Sequence, residues 1–192
     1  DAGSDVAGMR TTAVEDGDSY VLNGSKMFIT NGVKGDVYFV AAKTDTSVKA
    51  SRGITIFIVE KGMPGFTVSR ALDKQGWRSS DTAELVFDNC RVPKENILGE
   101  LNKGFYSIMR NFQNERTVLA AQSMGEAAKA LEITLQYVQE RKAFGETLWD
   151  KQAIRQRLAM LQAKVEAGRQ LTYHAAWLDA MGQDCVKEVS MA

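Results

Sequence analysis

The sequence predicts an α+β protein, in which an antiparallel β-barrel or sandwich is followed by part of a helical bundle. Over roughly the first hundred of the 192 residues, short runs of apolar and polar residues alternate, which is typical of strands. After Pro93, apolar residues recur at three- and four-residue intervals with no further proline, which indicates long helices. Strands followed by helices predict two domains, residues 1–100 and 101–192.

The strands of the first domain are predicted from alternation and turn chemistry. Two pairs, Asp16-Gly17 and Asn23-Gly24, lie between alternating segments, and each predicts a tight hairpin. Pro64 and Pro93 fall at strand ends, where a missing N–H is tolerated. Further strands are predicted at DVYFVAAKT, GITIFIVE, GFTVSRAL and TAELVFDNCRV. Regularly spaced short strands with glycine-rich turns favour a barrel or a sandwich.

Three helices are predicted in the second domain. The first runs from about Lys103 to Arg141, the second from about Lys151 to Met181, and a third begins near Asp184. The linker KAFGETLWD separates the first two. Long helices bury their apolar stripes only against each other or against another subunit, so we expect exposed apolar surface or an oligomer.

Composition excludes several classes of function. The 24 basic and 24 acidic residues give a net charge of zero, so nothing favours binding to nucleic acid or to anionic membranes. The longest apolar runs, VYFVAA and ITIFIV, are strand-sized. Cys90 and Cys185 form no CxxC motif, which fits a reducing compartment. The single histidine, His174, excludes multi-histidine metal sites, and we predict no metal; a packing or surface role is expected for it.

One carboxylate in the first predicted helix is unexpected. Glu115 shares a face with Phe105, Ile108, Phe112 and Leu119, and none of its helical neighbours is basic. A carboxylate on an apolar stripe either finds a distant partner or is kept there for chemistry.

Five segments identify a known family by resemblance. They are AGSDVAG, LNGSKMFITNG, GWRSSDTAELVFDNCRVPKENILGE, NKGF and ERKAFGETL. In this order they resemble successive motifs of the acyl-CoA dehydrogenases, and the resemblance covers essentially the whole chain. It implies a middle β-barrel domain whose first strand is missing, followed by the N-terminal portion of the C-terminal helical bundle. It also implies that the chain is the middle of a longer enzyme, truncated at both ends.

The resemblance implies FAD-dependent α,β-dehydrogenation of an acyl-CoA thioester. In this family a carboxylate removes the α proton while a hydride leaves the β carbon for N5 of FAD. Because the α C–H is a very weak acid, the base needs a dry pocket, and donors must stabilise charge on the carbonyl oxygen. FAD is not held by a Rossmann fold in this family, so the lack of a GxGxxG motif does not oppose the prediction.

The same resemblance gives Glu115 a role. In the branch that contains the isovaleryl- and long-chain acyl-CoA dehydrogenases the base lies on the first long helix, and FQNER matches that pattern. Glu115 is therefore expected to be the catalytic base. Two alternatives stay open: a buried glutamate bridged to a distant basic residue, and a competing glutamate beyond residue 192.

Further site residues are implied one at a time. Arg116 matches an arginine that contacts the CoA moiety, and Tyr106 matches a substrate contact of the long-chain branch. Ser4 matches the serine at the mouth of the acyl-CoA site, and SVKASRG forms a loop that approaches CoA in related enzymes. The substrate-binding residues expected from the resemblance are Ser4, Ser51, Arg52, Tyr106, Gln113, Asn114 and Arg116.

The cofactor contacts are implied in the same way. The segment Phe28, Ile29 and Thr30 matches the family's FIT segment beside the isoalloxazine ring, where Thr30 donates to its polar edge and Phe28 packs on it. Arg141 matches the arginine that reaches the FAD pyrophosphate of a neighbouring subunit. The remaining cofactor contacts implied are Phe144 and Gln152.

Partners and compartment follow from the family. A dehydrogenase passes its electrons to an electron-transfer flavoprotein, whereas an oxidase of the same fold passes them to oxygen, and sequence does not separate these two. A non-catalytic acyl-CoA-binding remnant and an inactive piece of the enzyme are further alternatives. The family is usually tetrameric, so a homotetramer, or at least a dimer, is expected. Bacterial cytoplasm and the mitochondrial matrix both fit the thiol content.

Overall fold

The computed structural model describes residues 3–192, which form two compact units. The first, called the strand unit here, ends at Met109, and the second, the helical unit, is Arg110–Ala192. The division falls inside a helix, whereas the sequence predicts the domain boundary at residue 100, where the strands end. The first two residues, where the motif AGSDVAG begins, lie outside the described part of the chain.

Seven strands of the strand unit form one sheet. They are β1 (Thr12–Asp16), β2 (Ser19–Thr30), β3 (Val37–Lys43), β4 (Ile54–Glu60), β5 (Phe66–Ala71), β6 (Thr82–Pro93) and β7 (Ile97–Leu98). Their order is β5-β6-β2-β1-β3-β4-β7, and every pair is antiparallel except a single parallel bridge between β1 and β3. Because β5 and β7 remain edges, the sheet is not closed into a barrel. The predicted α+β class with a mostly antiparallel sheet is confirmed, whereas the sheet does not close into a barrel.

The two predicted hairpin turns have different outcomes. Asp16-Gly17 lies in the tight connection of β1 to β2, where Asp16 pairs with Ser19, so that prediction is correct. Asn23-Gly24 lies inside β2, so the second is wrong. Gly24 has φ 136° and sits at a register shift opposite β6. A Cβ there would lie 2.9 Å from the Cα of Thr11, so glycine serves a close backbone approach in a bulge.

The core of the strand unit lies on one face of this curved sheet. The fully buried residues Leu22, Phe57 and Val59 belong to it, and the Phe57 ring lies 5.2 Å from that of Tyr20. Cys90 is part of the same core. Burial of this kind contributes about 1.5–3 kcal/mol for each large apolar side chain, so the sheet is stabilised mainly by its own residues.

Three helices follow, as predicted. They are α1 (Gly104–Glu140), α2 (Gln152–Ala180) and α3 (Val186–Met191). The linker contains an element that the sequence analysis missed, because β8 (Lys142–Ala143) and β9 (Glu146–Thr147) form a small hairpin. Its turn residues Phe144 and Gly145 both have positive φ, which is the geometry of a two-residue hairpin turn.

The helical unit has a smaller core. Leu131 and Val138 of α1 pack with Leu158 and Val165 of α2, and each remains 5–8% exposed. Cys185 is buried beside Ala175 and Val189 in a second small cluster. His174 is exposed and stacks on Trp177, which fits the surface role expected for it. None of the helices in residues 3–192 is both long and apolar enough to span a membrane.

Candidate active site

Glu115 lies on the exposed surface of α1 within this chain. The side-chain amide of Asn111 donates to its Oε1 at 2.6 Å, one helical turn earlier. Across residues 3–192 no basic side chain forms an ion pair with Glu115. Within the described residues, Glu115 is therefore neither buried nor bridged to a distant cation, as the alternative interpretation requires. The partner is a neutral amide, which leaves the carboxylate charge uncompensated.

The predicted substrate residues next to Glu115 belong to the same helix, α1. Gln113 is half-buried, and its backbone carbonyl accepts a hydrogen bond from the Thr117 hydroxyl at 3.1 Å. Asn114 is exposed. Arg116 borders an open groove of about 520 Å³ in the helical unit, whose other lining residues are Leu119, Ala120, Ser123, Val189, Ser190 and Ala192.

Two predicted substrate residues are brought together in the strand unit. Arg52 ends the 3₁₀ turn Ala50–Arg52, and Tyr106 lies in the first turn of α1. Both line one cavity, which contains no other predicted residue. Ser51 is half-buried in the same 3₁₀ turn. Ser4 is exposed, and the turn that follows it, Val6–Gly8, contacts the turn Ala50–Arg52.

The predicted flavin segment forms the end of β2. Phe28 has φ 62° and is 75% exposed, at a second register shift between β2 and β6. A bulky residue in the left-handed region is held there by surrounding structure and is a signal of function. Ile29 packs against the sheet core, and Thr30 pairs with Thr82 of β6 while its side chain is exposed.

The turn after Thr30 is fixed by one carboxylate. The backbone N–H of Val33 donates to Oδ2 of Asp81 at 2.7 Å, and the N–H of Asn31 donates to the Asp81 carbonyl at 3.1 Å. The Tyr38 hydroxyl donates to the Gly35 carbonyl at 2.7 Å and closes the same turn. Oδ1 of Asp81 is buried without a hydrogen-bond partner among the described residues. This network cannot be predicted from local sequence, because it joins residues 48 positions apart.

The predicted contacts to a second FAD surround the β8–β9 hairpin. Arg141 directly follows the last residue of α1 and is exposed. Its carbonyl accepts a hydrogen bond from the N–H of Leu148 at 2.9 Å. The ring of Phe144, at the tip, is 97% exposed, with the Lys151 ammonium 5.8 Å from its centre. Gln152 is exposed at the first position of α2.

Lys26 of β2 lies two residues before Phe28, and the sequence analysis did not single it out. It is half-buried, and burial lowers the pKa of its ammonium to about 8. Its nearest sequence signal is the alternation of β2, which does not distinguish a solvated lysine from a buried one. Among residues 3–192 no group of three or more His, Cys, Asp or Glu side chains is arranged to hold a metal.

Two family descriptions match this chain. "Acyl-CoA dehydrogenase, middle domain" matches residues 1–90, and "Acyl-CoA dehydrogenase, C-terminal domain" matches residues 102–192. The chain belongs to the acyl-CoA dehydrogenase family. The family predicted from the five motifs is confirmed, together with its order of a strand-rich domain before a helical one.

Curated relatives of this acyl-CoA dehydrogenase family member are close in sequence. The chain is 48% identical over 176 residues to the mitochondrial isovaleryl-CoA dehydrogenase of Pongo abelii, covering 91% of this chain and 42% of that protein. It is 44% identical over 191 residues to an acyl-CoA dehydrogenase of Bacillus subtilis (strain 168), covering 100% of this chain and 50% of that protein. The chain thus spans about half the length of the curated relatives it matches.

Solved structures agree with the fold. Butyryl-CoA dehydrogenase from Megasphaera elsdenii has a TM-score of 0.94 at 43% identity, over 100% of this chain and 50% of that one. A chain in a structure of the electron transferring flavoprotein of Acidaminococcus fermentans has 0.92 at 45%, over 99% and 50%. The prolyl acyl carrier protein oxidase AnaB has 0.93 at 34%, over 100% and 50%.

The residues at the end of β2 fit the flavin on which this family depends. Phe28 offers an exposed aromatic face, and the Thr30 hydroxyl makes no hydrogen bond within the described part of the chain. One flat apolar surface beside one free donor matches a ring system with an apolar body and a polar edge. The turn that follows both groups is hydrogen-bonded to Asp81, which supports their position.

Proposed function

We propose that this chain carries the reaction centre of an FAD-dependent acyl-CoA dehydrogenase, which removes hydrogens from the α and β carbons of an acyl-CoA thioester. Glu115 is the catalytic base in this proposal. Family membership supports the reaction class, and relatives named as acyl-CoA and isovaleryl-CoA dehydrogenases support the substrate class.

The match of FQNER to the family pattern carries the assignment of Glu115, and the surroundings of the side chain are compatible with it. Its carboxylate is exposed on α1 and is hydrogen-bonded by a neutral amide, with no cation paired to it in residues 3–192. A paired cation would stabilise the ionised form and weaken the base, whereas a neutral donor orients the carboxylate with a smaller effect. The Asn111 amide therefore fixes Oε1 and leaves Oε2 to take the α proton.

The remaining residues bind and orient. Ser51, Arg52 and Arg116 are proposed to hold the CoA portion. Ser4 is proposed to lie at the mouth of the acyl-CoA site, and Tyr106, Gln113 and Asn114 are proposed to contact the substrate. Phe28 covers the flavin ring, Ile29 anchors that strand in the core, and Thr30 donates to the ring's polar edge. The chemistry that FAD would supply when held by these residues is acceptance of the hydride that leaves the β carbon.

The decisive experiment compares Glu115→Gln with wild type in the complete enzyme. Flavin bleaching is followed without oxygen after a straight-chain acyl-CoA is added. Glutamine keeps the shape and the hydrogen bond but cannot take a proton, so we expect the bleaching rate to fall by at least about 10³-fold while substrate still binds.

Glu126→Gln is a matched control on the same helix. The Gln122 side chain donates to Glu126 at 2.7 Å with the i to i+4 spacing of the Asn111–Glu115 pair. We expect this variant to bleach at the wild-type rate. If Glu115→Gln also bleaches at a comparable rate, the base lies elsewhere, for instance beyond residue 192, and Glu115 is structural.

The electron acceptor is proposed to be an electron-transfer flavoprotein. The two curated relatives described above are both named as dehydrogenases and are 48% and 44% identical to this chain, whereas the structural relative named as an oxidase is 34% identical. Because a structural relative is named as an oxidase, transfer of the electrons to oxygen is the alternative to test. Release of hydrogen peroxide by the reduced enzyme in air would favour an oxidase, and a reduced flavin that is stable in air would favour the dehydrogenase.

A homotetramer is proposed for the complete enzyme, with the β8–β9 hairpin as the part that reaches another subunit. Arg141 and Phe144 are exposed there, and Gln152 follows on α2, so all three are free to contact a second FAD. Bacterial cytoplasm and the mitochondrial matrix remain the proposed compartments, because one relative is bacterial and another mitochondrial.

A further inference from the structure

A half-open cavity of about 410 Å³ lies in the strand unit, between the 3₁₀ turn Ala50–Arg52 and the start of α1. Its lining residues are Arg52, Asn102, Lys103 and Tyr106. The family motifs assign Arg52 and Tyr106 to the substrate. Lys103 belongs to the NKGF motif, but nothing in the sequence analysis gives it a role.

A partly buried hydroxyl network holds the two sides of this cavity in place. The hydroxyls of Thr44 and Thr55 lie 2.8 Å apart, and the Thr44 hydroxyl lies 2.6 Å from Oδ1 of Asn102. The backbone N–H of Asn102 donates to the Thr55 hydroxyl at 2.8 Å. The carbonyl of Gly53, next to Arg52, accepts from the N–H of Thr44 at 2.9 Å. Arg52 directly precedes Gly53, and Lys103 directly follows Asn102, so both cations are next to residues of the same hydrogen-bond network.

The start of α1 is fixed against β4 as well. Gly104 is buried, and a Cβ there would lie 3.0 Å from Cγ1 of Ile56 and 3.1 Å from the Ile54 carbonyl. A side chain at this position would press on the strand, and β4 would have to shift by a few tenths of an ångström to admit it. Lys103, which directly precedes Gly104, therefore has a backbone position set by packing, and only its side chain is free to adapt.

The charge of the cavity is positive and uncompensated. Its lining contains two cations and no carboxylate, and neither Arg52 nor Lys103 forms an ion pair in residues 3–192. Asp45, in the loop between Thr44 and Gly53, does not line the cavity, and its Oδ1 accepts from the Ser47 N–H and hydroxyl at 2.8 and 2.6 Å. The exposed Tyr106 phenol and the Asn102 amide add neutral donors.

We propose that this cavity is a phosphate-binding subsite and that Lys103 is its second cation, acting with Arg52 on a phosphate group of the CoA nucleotide. The inference rests on the proposed function. Two cations with a phenol and an amide form a donor set suited to a phosphate, which offers several anionic oxygens at once.

The subsite makes the enzyme selective for the carrier of the acyl group. A CoA thioester brings phosphates on its nucleotide, whereas the same acyl group on pantetheine brings none. Binding energy from this remote part of the substrate raises kcat/KM for the CoA thioester only. Lys103 is thus a specificity-determining residue that never contacts the reacting carbons.

The test uses the complete flavin-loaded enzyme and three thioesters of one acyl chain that wild type oxidises: the CoA, 3′-dephospho-CoA and pantetheine derivatives. Lys103→Met keeps the aliphatic stem and removes the charge. We expect the preference for CoA over pantetheine to shrink about tenfold, mostly through KM, and Lys103→Arg to restore most of it. The dephospho derivative separates contact with the 3′-phosphate from contact with the pyrophosphate.

Lys34→Met is the control, because Lys34 is an exposed lysine of the strand unit outside the cavity. It should keep the wild-type preference. An unchanged CoA-to-pantetheine preference in Lys103→Met overturns the proposal, as does an equal loss for both thioesters.

A binding measurement keeps this outcome separate from the proposed function. Titration calorimetry with adenosine 3′,5′-bisphosphate should give about tenfold weaker binding to Lys103→Met than to wild type, and adenosine should bind neither. If no thioester is oxidised but this difference appears, the reaction assignment fails and the subsite stands. If oxidation proceeds and the bisphosphate binds both proteins equally, only the subsite fails.

Discussion

The strand unit and the helical unit bury their apolar residues to different extents. In the sheet, Leu22, Phe57 and Val59 are completely buried, whereas the four central side chains of the main helical cluster stay 5–8% exposed. Large apolar residues are exposed in both units, among them Phe39 and Trp77 in the strand unit and Leu119, Ile133 and Trp177 on the helices. A curved sheet encloses a core by itself, while a pair of long helices covers only the stripes that face each other.

The largest effect is expected for Phe57→Ala in the sheet core. Removing this fully buried ring should lower the free energy of unfolding by about 3–5 kcal/mol, because it leaves a cavity next to Tyr20. Phe39→Ala in neighbouring β3 is the control, since that ring is 68% exposed and should cost less than about 1 kcal/mol. Denaturant unfolding measures both, and equal losses would contradict a self-contained sheet core.

A smaller effect is expected for Leu158→Ala in the helical cluster. We expect a loss of about 2–3 kcal/mol, at the low end for this substitution, because the half-buried neighbours can close around the gap. Met160→Ala, two residues later and 60% exposed, should change the free energy of unfolding by less than about 0.5 kcal/mol. A loss at Leu158 as large as that at Phe57 would remove the contrast between the two units.

The smallest effect concerns Lys26, a cation at the edge of the sheet core. Its folded pKa of about 8 lies below the ordinary lysine value of 10.5, so between these values the unfolded chain binds more protons. The free energy of unfolding should therefore rise with pH across this window in wild type. In Lys26→Met that rise should disappear, and stability at pH 7 should increase by about 1–2 kcal/mol after allowance for partial exposure.

The pH dependence of unfolding for Lys26→Met and wild type, measured from pH 6.5 to about 10.5, checks this expectation. Lys34→Met, at an exposed site of the same unit, should leave the profile unchanged. A parallel profile in Lys26→Met would mean that the ammonium is hydrated in the folded protein.

Much of the fold was predictable because it depends on local pattern. Alternation located β3 to β6, and helical spacing placed α1 within one residue of Gly104 and Glu140. Asn23-Gly24 shows the limit, since the same turn signal that works at Asp16-Gly17 here marks a bulge. The bulge at Gly24 depends on the backbone of Thr11, which lies close to Gly24 only in the folded protein.

The candidate site was predictable only as separate residues. Motifs gave Arg52 and Tyr106 singly, but their meeting in one cavity depends on the Thr44, Thr55 and Asn102 network, which local sequence does not encode. The sequence shows that none of the helical neighbours of Glu115 is basic, and its role as the base stays a prediction. That Asn111 orients it became visible only from the side-chain geometry.

The two cysteines provide an intrinsic chemical reporter for each unit. Cys90 is enclosed in the sheet core and Cys185 in the helical unit, and burial raises the pKa of both thiols. An alkylating reagent therefore reacts with each thiol only after the residues packed around that thiol open. Because the sequence contains two cysteines, the two labelling rates measured in one sample report separately on opening of the sheet core and of the small cluster around Cys185.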